Sequence, residues 1–122
     1  MEKLTNLQFE VMEVLWQAEK GLSSHEIIER SKDAGWQKSY IHLMLNSLLE
    51  KGMIEVDGFV KRTKNYARTF KPKMSKSEYV LQQAENKCGY EELVKAIAAK
   101  VNSIDELYRL IDILADRKKE IG

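Results

Sequence analysis

One cysteine, one proline and two histidines are all that this 122-residue chain carries of those types. A lone thiol, Cys88, excludes an internal disulfide and any thiolate metal cluster within one chain, and suits a small buried hydrophobe. His25 and His42 fall on different predicted helices and make no ligand spacing, so no metal is expected. No apolar run approaches the roughly 18 residues of a membrane-spanning helix, and no charged-then-apolar leader opens the chain; a cytoplasmic protein without a membrane partner is expected. Also missing are a Ser/His/Asp order, a Gly-rich phosphate loop and a paired-acid geometry. Acidic pairs such as Glu91-Glu92 and Asp105-Glu106 sit at helix beginnings, where the helix dipole accounts for them. No enzyme and no cofactor are expected.

What is present is charge, balanced in total and uneven along the chain. The formal net charge is +1, from 20 Lys or Arg and 19 Asp or Glu. Glu2, Glu10, Glu13, Glu19, Glu26, Glu29 and Asp33 make the opening segment net negative. From Gly58 to Lys76 the chain carries Lys61, Arg62, Lys64, Arg68, Lys71, Lys73 and Lys76 and no acidic residue. Only this middle stretch is a plausible phosphate-binding surface.

Four capping boxes, each a Ser or Thr with Glu or Gln three residues on, mark helix starts: Thr5 with Gln8, Ser23 with Glu26, Ser75 with Glu78, and Ser103 with Glu106. After Thr5, Leu7, Val11, Val14 and Leu15 with Trp16 recur at helical spacing until Gly21 closes the segment. A shorter helix with Ile27 and Ile28 inward is expected to end near Gly35, where Trp36 seals the turn. The third helix, Gln37 to Lys51, buries Ile41, Leu45, Leu48 and Leu49 and turns Lys38, Ser39, Tyr40, His42 and Asn46 to other faces. Leu43 at its margin could touch a thymine methyl or pack under the hairpin. Gly52 stops the helix. Met53 to Val56 alternates as a strand, Asp57-Gly58 is expected to turn, residues 59–64 to form the tip, and Asn65 to Phe70 to return before Pro72.

From Ser75 onward the pattern is helical, broken only at Gly89 and the cap at Ser103. Tyr79, Leu93, Ile97, Leu107, Leu110, Ile111 and Leu114 are the apolar positions whose faces a second copy of the chain would cover. The expected fold is mainly α with a small β-hairpin wing: a winged helix-turn-helix over residues 1–74 and a helical dimerisation arm over residues 75–122. In such a fold one helix enters the major groove and a basic hairpin grips the backbone. Lys38, Ser39, Tyr40, His42 and Asn46 are the candidates for bases and groove phosphates, because Asn pairs bidentately with adenine and hydroxyls reach bases or phosphates. Lys61, Arg62 and Lys64, with Lys38 and Arg68, are the phosphate candidates. Trp16, Trp36 and Phe70 read as core and turn-sealing aromatics; Tyr66 stays open.

Together these residues resemble the penicillinase-repressor (BlaI/MecI) family of bacterial winged-helix regulators, which also includes copper-responsive repressors. The resemblance lies in Leu4-Thr5, Glu10-Val11-Met12 and Leu15-Trp16; in Trp36 leading into Ser39-Tyr40-Ile41-His42-Leu43-Met44-Leu45-Asn46-Ser47-Leu48 and Lys51-Gly52; and in the return strand Tyr66 to Pro72. It implies a homodimer that binds double-stranded DNA at a palindromic operator and represses a nearby promoter. Family members commonly carry Thr where Tyr40 stands and Arg where Ser47 stands, so the operator sequence is not implied. Where penicillinase-type repressors are cleaved at Asn-Phe, this chain has Ala96-Ile97, and the paired C-terminal cysteines of the copper-type members are absent. The alternative from another class is a winged-helix protein-interaction module without specific DNA binding, with the basic wing against an acidic partner.

Overall fold

A computed structural model describes residues 3–31 and 36–122; the second helix ends at Arg30 with Ser31 as its C-cap, earlier than the end expected near Gly35, a residue that itself lies outside the described ones. The chain forms α1 (Asn6–Gln17), α2 (Ser24–Arg30), α3 (Lys38–Glu50), β1 (Ile54–Lys61), β2 (Tyr66–Pro72), α4 (Lys76–Glu85), α5 (Tyr90–Lys100) and α6 (Ile104–Ile121). It is a mainly helical winged-helix fold with one two-stranded antiparallel hairpin. Two compact units divide it, Met1–Gln83 and Ala84–Gly122.

Local chemistry explains the helix ends. Thr5 and Ser23 each accept from the N–H three residues on, while Gln8 and Glu26 return the bond to the cap's own N–H. Ser75 and Glu78 exchange the same two bonds, at 3.1 and 3.3 Å. At α6, Ser103 Oγ accepts from the Glu106 N–H at 3.2 Å. Helix α3 closes in a double bond pattern: Met53 N–H donates to Leu48 O at 2.9 Å and Gly52 N–H to Leu49 O at 3.1 Å. That closure needs a left-handed residue, and Gly52 supplies it at φ +75°.

In the first unit Val11, Met12 and Leu15 of α1, Ile27 of α2, and Ile41, Leu45 and Leu48 of α3 are buried together with Met53, Ile54 and Phe70 from the hairpin. Leu22 exchanges backbone bonds with Phe70 (3.0 and 2.8 Å), which fixes the root of β2 to the segment between α1 and α2. The amide of Gln8, itself buried, links α1 to α3. Its Oε1 accepts from Lys51 Nζ at 2.7 Å and its Nε2 donates to Ser47 Oγ at 3.0 Å, while Ser47 Oγ donates to Met44 O at 2.8 Å. A buried amide with partners on both sides avoids the cost of an orphaned polar group, about 1–3 kcal/mol.

Several expectations are corrected. Helix α1 ends at Gln17 with Ala18 extended, four residues before Gly21. Gly21 is needed for space instead: a Cβ there would collide with the Asp57 carboxylate. Asp57-Gly58 is no turn. The register shifts between Val56 and Gly58, so Asp57 is a bulge inside β1, and its Oδ1 accepts from Thr69 Oγ1 at 2.5 Å. The ladder then continues to the Lys61–Tyr66 pair, and the tip narrows to residues 62–65, closed by Arg62 N–H donating to Asn65 O at 2.6 Å.

Tyr79 belongs to the core of the first unit. It is 5% exposed, its ring centroid lies 6.2 Å from Phe9 and 6.1 Å from Trp16, and its hydroxyl accepts from the Leu4 N–H at 2.9 Å. Trp16 Nε1 donates to Met74 O at 2.9 Å, and Lys76 forms an ion pair with Glu13. These contacts carry the first unit through α4 to Gln83, past the boundary expected at residue 74, and remove Tyr79 from the exposed faces.

In the second unit α5 follows Gly89 as its N-cap and α6 runs 18 residues. Neither helix buries any residue: Ile97 is 51% exposed, and Ile111 and Leu114 are each 57% exposed.

Candidate nucleic-acid interface

Helix α3 is amphipathic, and its two sides are settled by packing. Ile41, Leu45 and Leu48 are buried and Leu49 packs against them, which leaves Ser39, Tyr40, His42, Leu43 and Asn46 exposed on the remaining surface. Lys38 is the first residue of the helix; its side chain lies outside the described residues. Ser47 belongs to neither set. It is half-buried and hydrogen-bonded to Gln8, so it faces α1. Trp36 precedes the helix and donates from Nε1 to Glu10 Oε2 at 3.2 Å, which ties the start of α3 to α1.

The hairpin sorts the basic residues by whether a carboxylate already holds them. Lys71 pairs with Glu55 at 3.4 Å and Lys76 with Glu13, so these two are already held by acidic partners. Lys61, Arg62 and Lys64 are exposed at the tip and, among the described residues, pair with no carboxylate. Arg68 is exposed too, its guanidinium carbon 5.2 Å from the centre of the Phe70 ring. That contact orients a cation without cancelling its charge. An exposed polar helix face and a loop of unneutralised cations thus stand on one compact unit, anchored to it at Gly52–Met53 and at Phe70.

Residues 4–116 match the family described as penicillinase repressor. The chain belongs to that family. As a penicillinase-repressor family member it is a DNA-binding transcription regulator of helix-turn-helix type. Among curated proteins, none matches it.

Two solved structures of MepR variants agree on the fold. A MepR mutant from a multidrug-resistant Staphylococcus aureus clinical isolate superposes with a TM-score of 0.52 at 16% identity, covering 98% of this chain and 80% of that one. A second S. aureus MepR mutant, bound to an oligodeoxyribonucleotide, gives 0.50 at 15% identity with the same 98% and 80% coverage. Streptococcus pyogenes PerR gives 0.46 at 11% identity over 57% of this chain, which spans 47% of that protein's length. No helix among the described residues is long and apolar enough to cross a membrane.

The sequence had singled out every charged residue at the hairpin tip. It missed the bulge at Asp57, because an Asp-Gly pair is a strong short-range turn signal and nothing local reveals that Thr69 will hold the Asp carboxylate.

Proposed function

We propose that this protein is a repressor that binds a palindromic operator as a homodimer. In each copy α3 enters the major groove with Lys38, Ser39, Tyr40, His42 and Asn46 toward bases and groove phosphates, and Lys61, Arg62, Lys64 and Arg68 take the flanking backbone. The observation that carries this reading is the tip of the hairpin. Among the described residues Lys61, Arg62 and Lys64 pair with no carboxylate, and α3, on the same compact unit, exposes Ser39, Tyr40, His42, Leu43 and Asn46. The partner copy would cover the apolar surface of the second unit, through Leu93 and Ile97 of α5 and Leu107, Leu110, Ile111 and Leu114 of α6. Exposed apolar side chains at helical spacing over a helix of 18 residues support such a partner. Doubling the phosphate contacts through one dimer would make the affinity useful at cellular salt.

Selection of bound duplexes from a random pool at two salt concentrations tests this. The expected product is a palindrome with half-sites about one helical turn apart and an affinity that falls steeply with salt. A pool that remains random with weak, salt-sensitive binding would leave a nonspecific binder, and no binding would favour the protein-interaction module.

A further inference from the structure

Two aromatic rings on the hairpin have no role in the contacts described so far. Directly opposite residues of an antiparallel ladder share a face, and the register pairs Phe59 with Arg68 and Lys61 with Tyr66. Ring and cation therefore alternate in both directions: along β1 Phe59 then Lys61, along β2 Tyr66 then Arg68. Burial agrees with this alternation, since the intervening Val60 and Ala67 are half-buried whereas Phe59 is 65% and Tyr66 69% exposed. Neither ring has a hydrogen-bond or ring partner among the described residues. A wing that only gripped phosphates would need the cations alone, and two exposed rings beside them add apolar surface whose contact with water is unfavourable.

We propose that this face is a second DNA-contact surface, on which Phe59 and Tyr66 pack against the deoxyribose walls of the minor groove while Lys61, Arg62 and Arg68 meet the phosphates on either side. This deepens the DNA-binding reading and rests on it. Charge chooses the occupant. The cations around the rings pair with no carboxylate among the described residues, so the surface suits a partner in which anionic groups and apolar C–H surface alternate at short range. The sugar–phosphate wall of a duplex has that composition. Side chains two residues apart on one face of a strand repeat at about 6.7 Å, so ring and cation on each strand reach successive points along that wall.

The test uses the full chain and a duplex recovered by selection. Phe59→Ala and Tyr66→Ala are each expected to weaken binding about tenfold and to leave the slope of log affinity against log salt unchanged, because a ring releases no counterion. Lys61→Ala should lower that slope by about 0.9. Phe59→Tyr and Tyr66→Phe keep a ring and should bind within about twofold of the parent, which separates loss of the ring from disturbance of the hairpin. Hydroxyl-radical cleavage reports deoxyribose hydrogens exposed in the minor groove, and protection beside the recognised sequence should disappear in the alanine variants. Protection of guanine N7 in the major groove should remain. Alanine variants that bind and footprint as the parent does would overturn the proposal while leaving the DNA reader standing. A parent protein that enriches no duplex and binds none would overturn both.

Discussion

The hydroxyl of Tyr79 accepts a hydrogen bond from the backbone N–H of Leu4 at 2.9 Å, joining α4 to the segment before α1 across 75 positions of sequence. Both groups are buried, so the N–H has no water to turn to. Tyr79→Phe keeps the ring between Phe9 and Trp16 and deletes only the acceptor. The expected cost is about 1–3 kcal/mol, the range for a buried donor left unsatisfied, read as a lower urea midpoint with unchanged slope. Because Tyr79 faces the interior, sedimentation should show the variant in the same oligomeric state as the parent.

Gly21 and Asp57 compete for one space. The carboxylate that a Cβ at Gly21 would strike is itself held by Thr69, so it cannot swing aside without losing that bond. Gly21→Ala should destabilise the protein by about 1–3 kcal/mol, as overpacking does. The same substitution in an Asp57→Ala background should cost less. Equal costs in the two backgrounds would mean the strain lies elsewhere, and thermal melts of the four proteins decide it.

Removing the three tip cations together tests the wing. Lys61→Ala with Arg62→Ala and Lys64→Ala should leave far-UV circular dichroism and the melting midpoint near the parent values, since none of the three is buried or, among the described residues, paired with a carboxylate. Duplex affinity should fall, and its salt slope should drop by up to about 2.7 if all three meet phosphates. An unchanged slope would sink their assignment to the backbone.

Ile111→Glu places a charge in the middle of the α6 stripe. Dimerisation through this face predicts a shift to monomer in sedimentation velocity and a loss of operator affinity of roughly 10²-fold or more as avidity disappears. An associated, fully binding variant would move the interface away from α6.

Glu26 carries the pH dependence that can be assigned. Its carboxylate accepts the Ser23 N–H, and this backbone bond, aided by Lys20, outweighs partial burial and holds its pKa below the ordinary carboxylate value. A depressed folded-state pKa means a stabilisation fully present above the unfolded-state pKa and lost as pH falls through the folded-state one. Glu26→Gln keeps the capping oxygen and removes the titration. The stability gap between parent and variant should therefore be constant at neutral pH and shrink in acid, measured by urea titration across the acid range.

Much of the fold is legible because it is written within a few residues. A Ser or Thr and a Glu or Gln three positions on meet in any helix start, whatever surrounds them, and Gly52 marks a left-handed stop that other residues resist. The buried stripe of α3 follows from a period of 3.6 in the same way. Its complement, the exposed row that includes Tyr40, His42 and Asn46, was legible for the same reason, though periodicity alone does not say what that row touches.

The sequence by itself determined where the four capped helices start, that α3 stops at Gly52, that a hairpin follows α3, and that its tip is basic, because each depends on bonds or charge within one short segment. Only the tertiary structure decided that Asp57 bulges instead of turning, that Ser47 faces Gln8, that Lys71 and Lys76 are held by acidic partners, and that Tyr79 closes the core. Those outcomes depend on side chains 12 to 75 positions apart meeting in space, and no local pattern carries the identity of a partner that distant.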